Sequence, residues 1–179
     1  VYQNRFYDLT VDGKTESREY GSLVNVTAPE KEGYTFADWT VKGAQVDNPY
    51  NQTLLFRMPA GDVTLTPNYT ANKYSLTVDD TMEFKDYGEP VTVTAAEKEG
   101  YTFTDWAVDG VTVADKTSKT VAFTMPAGDV TLTANYAINH YTLTVNGKAE
   151  PKEYGEYVYA YAEDRTGWIF TGWETKDLE

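Results

Sequence analysis

The residue types able to do chemistry are sparse in this sequence. It holds one histidine, His140, and no cysteine. A nucleophilic triad needs a base oriented by a third group, and zinc sites are recognised by clustered His and Cys ligands, so neither can be assembled. His140 reads as a surface residue at a junction. The adjacent carboxylates Asp79-Asp80 could offer oxygens to calcium. Calcium takes six to eight of them, and no Asp-x-Asp-x-Asp-Gly loop is present, so they read as solvated turn residues. A carboxylate pair for glycoside hydrolysis would have to arise once on a scaffold repeated for other reasons, which argues against an enzyme. No catalytic, cofactor-binding or metal-binding residue is assigned.

Aromatic side chains carry what chemistry remains: they make up 15% of the chain, with 15 tyrosines. Trp39, Trp106 and Trp173 recur at one position and read as core, with a glycan-stacking platform as the alternative. A second group stands out. Tyr157, Tyr159 and Tyr161 alternate with the small apolar Val158, Ala160 and Ala162, and their counterparts are Leu23, Asn25, Thr27 and Pro90, Thr92, Thr94. Ile169 likewise replaces Thr35 and Thr102. Solvated sheet faces do not usually carry such a stripe, and contiguous apolar patches mark contacts. Tyr157, Tyr159, Tyr161 and Ile169 therefore form a candidate contact face, either for a neighbouring module or for a partner protein or glycan.

These positions are counterparts because the chain is a tandem array. Glu30-Lys31-Glu32-Gly33-Tyr34-Thr35-Phe36, with Asp38-Trp39, returns letter for letter from Glu97 to Phe103 with Asp105-Trp106. A worn third copy runs from Gly167 to Trp173. Met58-Pro59-Ala60-Gly61-Asp62-Val63-Thr64-Leu65-Thr66 recurs intact from Met125 to Thr133. Trp39 and Trp106, Trp106 and Trp173, and Met58 and Met125 are each 67 residues apart. A fixed period outranks any single-residue signal. Residues 1–5 read as the end of a preceding repeat, because Tyr2 lies 67 before Tyr69. Residues 6–70 and 71–137 are two full repeats, and 138–179 a partial third. The chain reads as cut from something longer, and Leu178-Glu179 fits a cloning remnant. The junctions at Asn72-Lys73 and Ile138-Asn139-His140 are too short for free swivelling.

Within each repeat the period-two alternation of Tyr7, Leu9, Val11 and of Val24, Val26, Ala28 predicts strands with one buried face. Leu54, Phe56, Met58 and then Val63, Leu65, Tyr69 predict two more. Gly13, Asp80 and Gly147 share a turn position where positive φ is tolerated. Trp39 lies three residues beyond Phe36, on the wrong face of a regular strand. A bulge with a left-handed Asp38, and Asp105 in the second repeat, would return the indole to the core. The expected core of each full repeat is Tyr7/Tyr74, Val26/Val93, Phe36/Phe103, Trp39/Trp106, Phe56/Phe123 and Leu65/Leu132. No apolar pattern has helical spacing over ten residues, so the chain is expected to be all-β with little or no helix.

Composition narrows the partners. A net charge of −13 and a pI near 4.4 argue against nucleic acid and anionic membrane. No apolar run is long enough to cross a bilayer.

With Gly33-Tyr34-Thr35-Phe36 through Trp39, and Met58 through Val63 to Asn68-Tyr69, the chain resembles the Listeria–Bacteroides repeat of the divergent internalin B-repeat type. That resemblance implies β-grasp-like small modules in secreted, wall-anchored bacterial surface proteins, serving as stalks, adhesin segments or protein-interaction modules. It carries no catalytic residues. Asp38 and Asp105 depart from its usual glycine, and the partial third repeat lacks the Met-Pro-Ala-Gly-Asp half. The expected function is thus a non-enzymatic stalk or adhesin segment without cofactor, at the surface or wall of a bacterium. Its partners are expected to be adjacent repeats of the same chain and a surface protein or glycan, with self-association through residues 138–179.

Overall fold

The computed structural model describes residues 3–176; the expectations for Tyr2 and Leu178-Glu179 lie outside them. The first repeat supplies β1 (Phe6–Val11), β2 (Lys14–Glu19), β3 (Leu23–Thr27), β4 (Tyr34–Lys42), β5 (Thr53–Arg57) and β6 (Val63–Ala71). The second repeats the order as β7 (Lys73–Val78), β8 (Thr81–Asp86), β9 (Pro90–Thr94), β10 (Tyr101–Asp109), β11 (Thr120–Thr124) and β12 (Val130–Ile138). A hairpin of β13 (His140–Val145) and β14 (Lys148–Glu153) follows. The protein is all-β, with no helix among the described residues.

Each full repeat folds into a four-stranded sheet and a two-stranded ribbon. The sheet orders are β2-β1-β6-β4 and β10-β12-β7-β8, and the ribbons are β3-β5 and β11-β9. The first and last strands of a repeat, β1 with β6 and β7 with β12, lie side by side in parallel at the sheet centre. This is a β-grasp-like order. Its consequence is that a repeat closes on itself only once its last strand is present.

In the first repeat the sheet and ribbon enclose Leu9, Val24, Ala28, Trp39, Leu54, Phe56, Met58, Val63 and Leu65. Tyr7, Val26 and Phe36 pack against this cluster half-buried, at its margin. The second repeat buries Leu76, Val91, Ala95, Trp106, Val113, Val121, Met125, Val130 and Leu132. Two compact units emerge. One holds the residues up to Ala95 with Asp105–Asn135; the other holds Ala96–Thr104 with the residues from Tyr136 on.

The bulge before Trp39 exists, but not with the expected conformation. Phe36 pairs with Tyr69 and Asp38 with Asn68, so Ala37 is the extra residue, and Phe36 and Trp39 share a face with rings 5.8 Å apart. Neither Asp38 nor Asp105 has positive φ. The Asp38 carboxylate instead accepts a 2.6 Å hydrogen bond from the Asn68 amide, and Asp105 one of 2.8 Å from Asn135. A cross-strand side-chain bond does what a left-handed turn would otherwise do. At the first hairpin turns, positive φ falls on Asp12-Gly13 and Asn146-Gly147, whereas the second repeat uses Asp79, not Asp80.

The expected strands over 157–161 and from Trp168 on are absent. Residues 154–176 contain no strand. The reason lies in the pairing: β3 is held by β5 and β4 by β6, and the described residues after Trp173 supply no counterpart of either.

Candidate functional site

The Glu-Lys-Glu-Gly-Tyr-Thr phrase builds a joint between consecutive repeats. At the first joint Asn72, the residue linking β6 to β7, donates its amide to the Gly33 carbonyl at 2.8 Å. The Thr35 hydroxyl donates to the Asn72 side-chain oxygen at 2.6 Å. The Asn72 carbonyl then accepts the amide of Tyr87, at the end of the next hairpin, at 2.8 Å. The Tyr87 ring lies over Gly33 and meets Tyr34 edge-on at 5.4 Å between centroids. Gly33 is buried there with φ of +73°, and a Cβ would overlap the ring, so glycine is required twice over. Lys31 completes the arrangement, its ammonium 4.4 Å from the Tyr34 ring centre and 5.5 Å from that of Tyr69.

The second joint repeats the first residue for residue. Asn139 donates to Gly100 at 2.8 Å, Thr102 to the Asn139 side chain at 2.6 Å, and Tyr154 to the Asn139 carbonyl at 2.9 Å. Tyr154 covers Gly100 and meets Tyr101 edge-on at 6.3 Å, and Lys98 stands 4.4 Å over Tyr101. The charge of Glu99, with burial and the hydrogen bond the phenol donates to that carboxylate, raises the Tyr154 phenol above its ordinary pKa. Nothing in the strand pattern of the sequence marks this joint. The signal lies elsewhere: Tyr20-Gly21, Tyr87-Gly88 and Tyr154-Gly155 share the period of Gly33 and Gly100.

The second phrase ties each repeat internally. Met58 is buried, and its backbone brackets the start of β3, accepting from Gly21 and donating to Ser22, each at 2.9 Å. Met125 does the same with Gly88 and Glu89. The Asp62 carboxylate accepts the Asp8 amide at 2.9 Å and Asp129 that of Ser75 at 2.8 Å, which holds Asp129 below the usual carboxylate range.

The aromatic candidates divide by burial. Trp39 and Trp106 are core residues, 3% and 1% exposed, with no face available for stacking a sugar. Tyr157, Tyr159, Tyr161 and Ile169 are 90%, 78%, 81% and 89% exposed. Trp168, Phe170 and Trp173 are also exposed, with Phe170 and Trp173 paired at 5.5 Å as Phe36 and Trp39 are. The remaining candidates show no constellation. His140 opens β13 on the surface, and Asp79 accepts the Ala134 amide at 2.8 Å. Among the described residues no group of three or more His, Asp or Glu could hold a metal ion.

A structural phrase that recurs with its partners intact defines a module, and comparison with known proteins identifies which. The divergent InlB B-repeat domain matches twice, over residues 9–73 and 75–140. The chain belongs to this family. It is 37% identical over 142 residues to Internalin H of Listeria monocytogenes serovar 1/2a, covering 72% of this chain and 24% of that protein. It is 28% identical over 190 aligned positions to a protein of Evansella cellulosilytica named for a Gly-rich membrane protein, covering 91% of this chain and 22% of the relative. The chain thus spans about a quarter of the length of these relatives. No solved structure matches it significantly.

Proposed function

We propose that this B-repeat segment is a non-enzymatic stalk, or spacer within an adhesin, in an extracellular bacterial cell-surface protein. The joint carries the reading. One linker asparagine is bonded on both sides at each junction, and a tyrosine ring covers a buried glycine, so a repeat is fixed to its neighbour without free linker. Such a joint converts added repeats into added reach. The family and the likeness to Internalin H support placement on a bacterial surface.

The test is surface display. An epitope is carried beyond this segment on a wall-anchored chain, with further 67-residue periods inserted. Antibody binding to intact cells is expected to rise with each period. Binding independent of repeat number overturns the stalk.

A second reading rests on the exposed aromatic segment. Tyr157, Tyr159, Tyr161 and Ile169 would serve as a recognition face for a surface protein or glycan. Replacing the three tyrosines with serine would then abolish cell or glycan-array binding while leaving the first two repeats folded.

A further inference from the structure

The first repeat carries the tyrosine side of a joint on its Tyr20 face. Tyr20 corresponds to Tyr87 and Tyr154, and its amide donates to the Arg5 carbonyl at 2.8 Å, as theirs do to Asn72 and Asn139. Arg5 is therefore the counterpart of the linker asparagines. The Tyr20 ring is 60% exposed, whereas that of Tyr154, beneath a repeat edge, is 38% exposed. A groove of about 390 Å³ lies beside it, lined by Gln3, Asn4, Arg5, Tyr7, Glu19 and Tyr20 among others.

We infer that this groove is a docking site for the Lys-Glu-Gly-Tyr-Thr edge of another B-repeat, placed one period upstream in the same polypeptide. Twice in this chain the same surface takes that edge: the Tyr87 face holds Gly33-Tyr34, and the Tyr154 face holds Gly100-Tyr101. The Arg5 amide would donate to the incoming glycine carbonyl, and the Tyr20 ring would cover its Cα. The exchange of asparagine for arginine has a counterpart in charge, since the edge carries Glu30 and Glu32, or Glu97 and Glu99, beside its glycine. The inference deepens the stalk reading and rests on it, by specifying which partner the first repeat accepts.

The rival occupant is a second copy. Gly167 keeps the joint conformation, with φ of +80° and nothing over it, so its edge could seat the Tyr20 face of another molecule.

The test compares the present chain with one carrying an additional copy of residues 1–67 in front of residue 1, which preserves the period. Hydrogen exchange at the Arg5 amide is expected to slow by about tenfold or more in the longer protein. The Tyr20 ring resonances should move toward those of Tyr87. Tyr20→Ala should reverse the slowing there, yet leave the folding of the present chain unchanged. Unaltered Arg5 exchange in the longer protein overturns the inference. Self-association of the present chain that is lost with Tyr20→Ala overturns it in favour of the second copy. If Arg5 is unaffected while surface display still gains with each repeat, docking fails and the stalk stands.

Discussion

Residues that look interchangeable between repeats take their roles from what lies across the sheet. Trp106 is enclosed within β10, so Trp106→Ala should cost about 3–5 kcal/mol and unfold the second repeat, read by urea denaturation. An unchanged midpoint would remove Trp106 from the core. Asp105 shows the opposite logic to the one its position in the sequence invites. Because its φ is not positive and it accepts from Asn135, Asp105→Gly gains no backbone relief and loses a bond. A destabilisation of about 1 kcal/mol is expected, and a neutral or stabilising result would restore the left-handed reading. Tyr154 reports the joint through pH. Its raised pKa means the protonated phenol is favoured when folded, so this contribution is complete below the ordinary value of 10.0 and is lost as pH climbs through the raised one. NMR titration should show Tyr154 ionising above the ordinary phenol value of 10.0, and Glu99→Gln should bring it earlier.

At the scale of elements, visibility in the sequence follows burial of one face. β1, β3 and β5 alternate because one side meets the core. β2, β8 and β14 escaped notice: Lys14–Glu19 is polar throughout, an edge strand with most of its side chains in water. Its only signal is the two-residue turn Asp12-Gly13, whose double positive φ suits a tight hairpin. The third repeat teaches the converse. Tyr157 to Ala162 has a strand's pattern and no strand, because pattern supplies a face and pairing supplies hydrogen bonds. Replacing the residues after Trp173 with a copy of residues 107–137 would add counterparts of β5 and β6. Amide exchange across 157–162 should then slow to the level of β9. If it stays fast, the missing partner is not the cause.

Across the whole chain, the excess of acidic residues opposes association while the third repeat invites it. The apolar side chains left exposed there, Trp168 and Ile169 with the three tyrosines, constitute the expected self-association surface. Light scattering at matched concentration should show association of the full chain, strengthened by salt, and none for a chain ending at Ala137. A full chain that stays monomeric, with its third repeat as resistant to protease as the second, would refute that expectation.

The sequence by itself determined the period, the all-β class, the family and the indoles of the two full repeats as core, because repetition and alternation are local properties of the chain; the same reading of Trp173 as core failed, since that indole is exposed. It also marked where a bulge must fall, since Phe36 and Trp39 could share a face in no other way. Three things waited for the tertiary structure. The conformation of Asp38 depends on Asn68, thirty residues away, and no local pattern encodes that bond. The parallel pairing of β1 with β6 places a repeat's beginning beside its end, which explains why a repeat lacking its last strands keeps only a hairpin. The joint exists only when Tyr87 is brought over Gly33. Contacts between distant segments are set by packing, and packing is what the linear pattern does not carry.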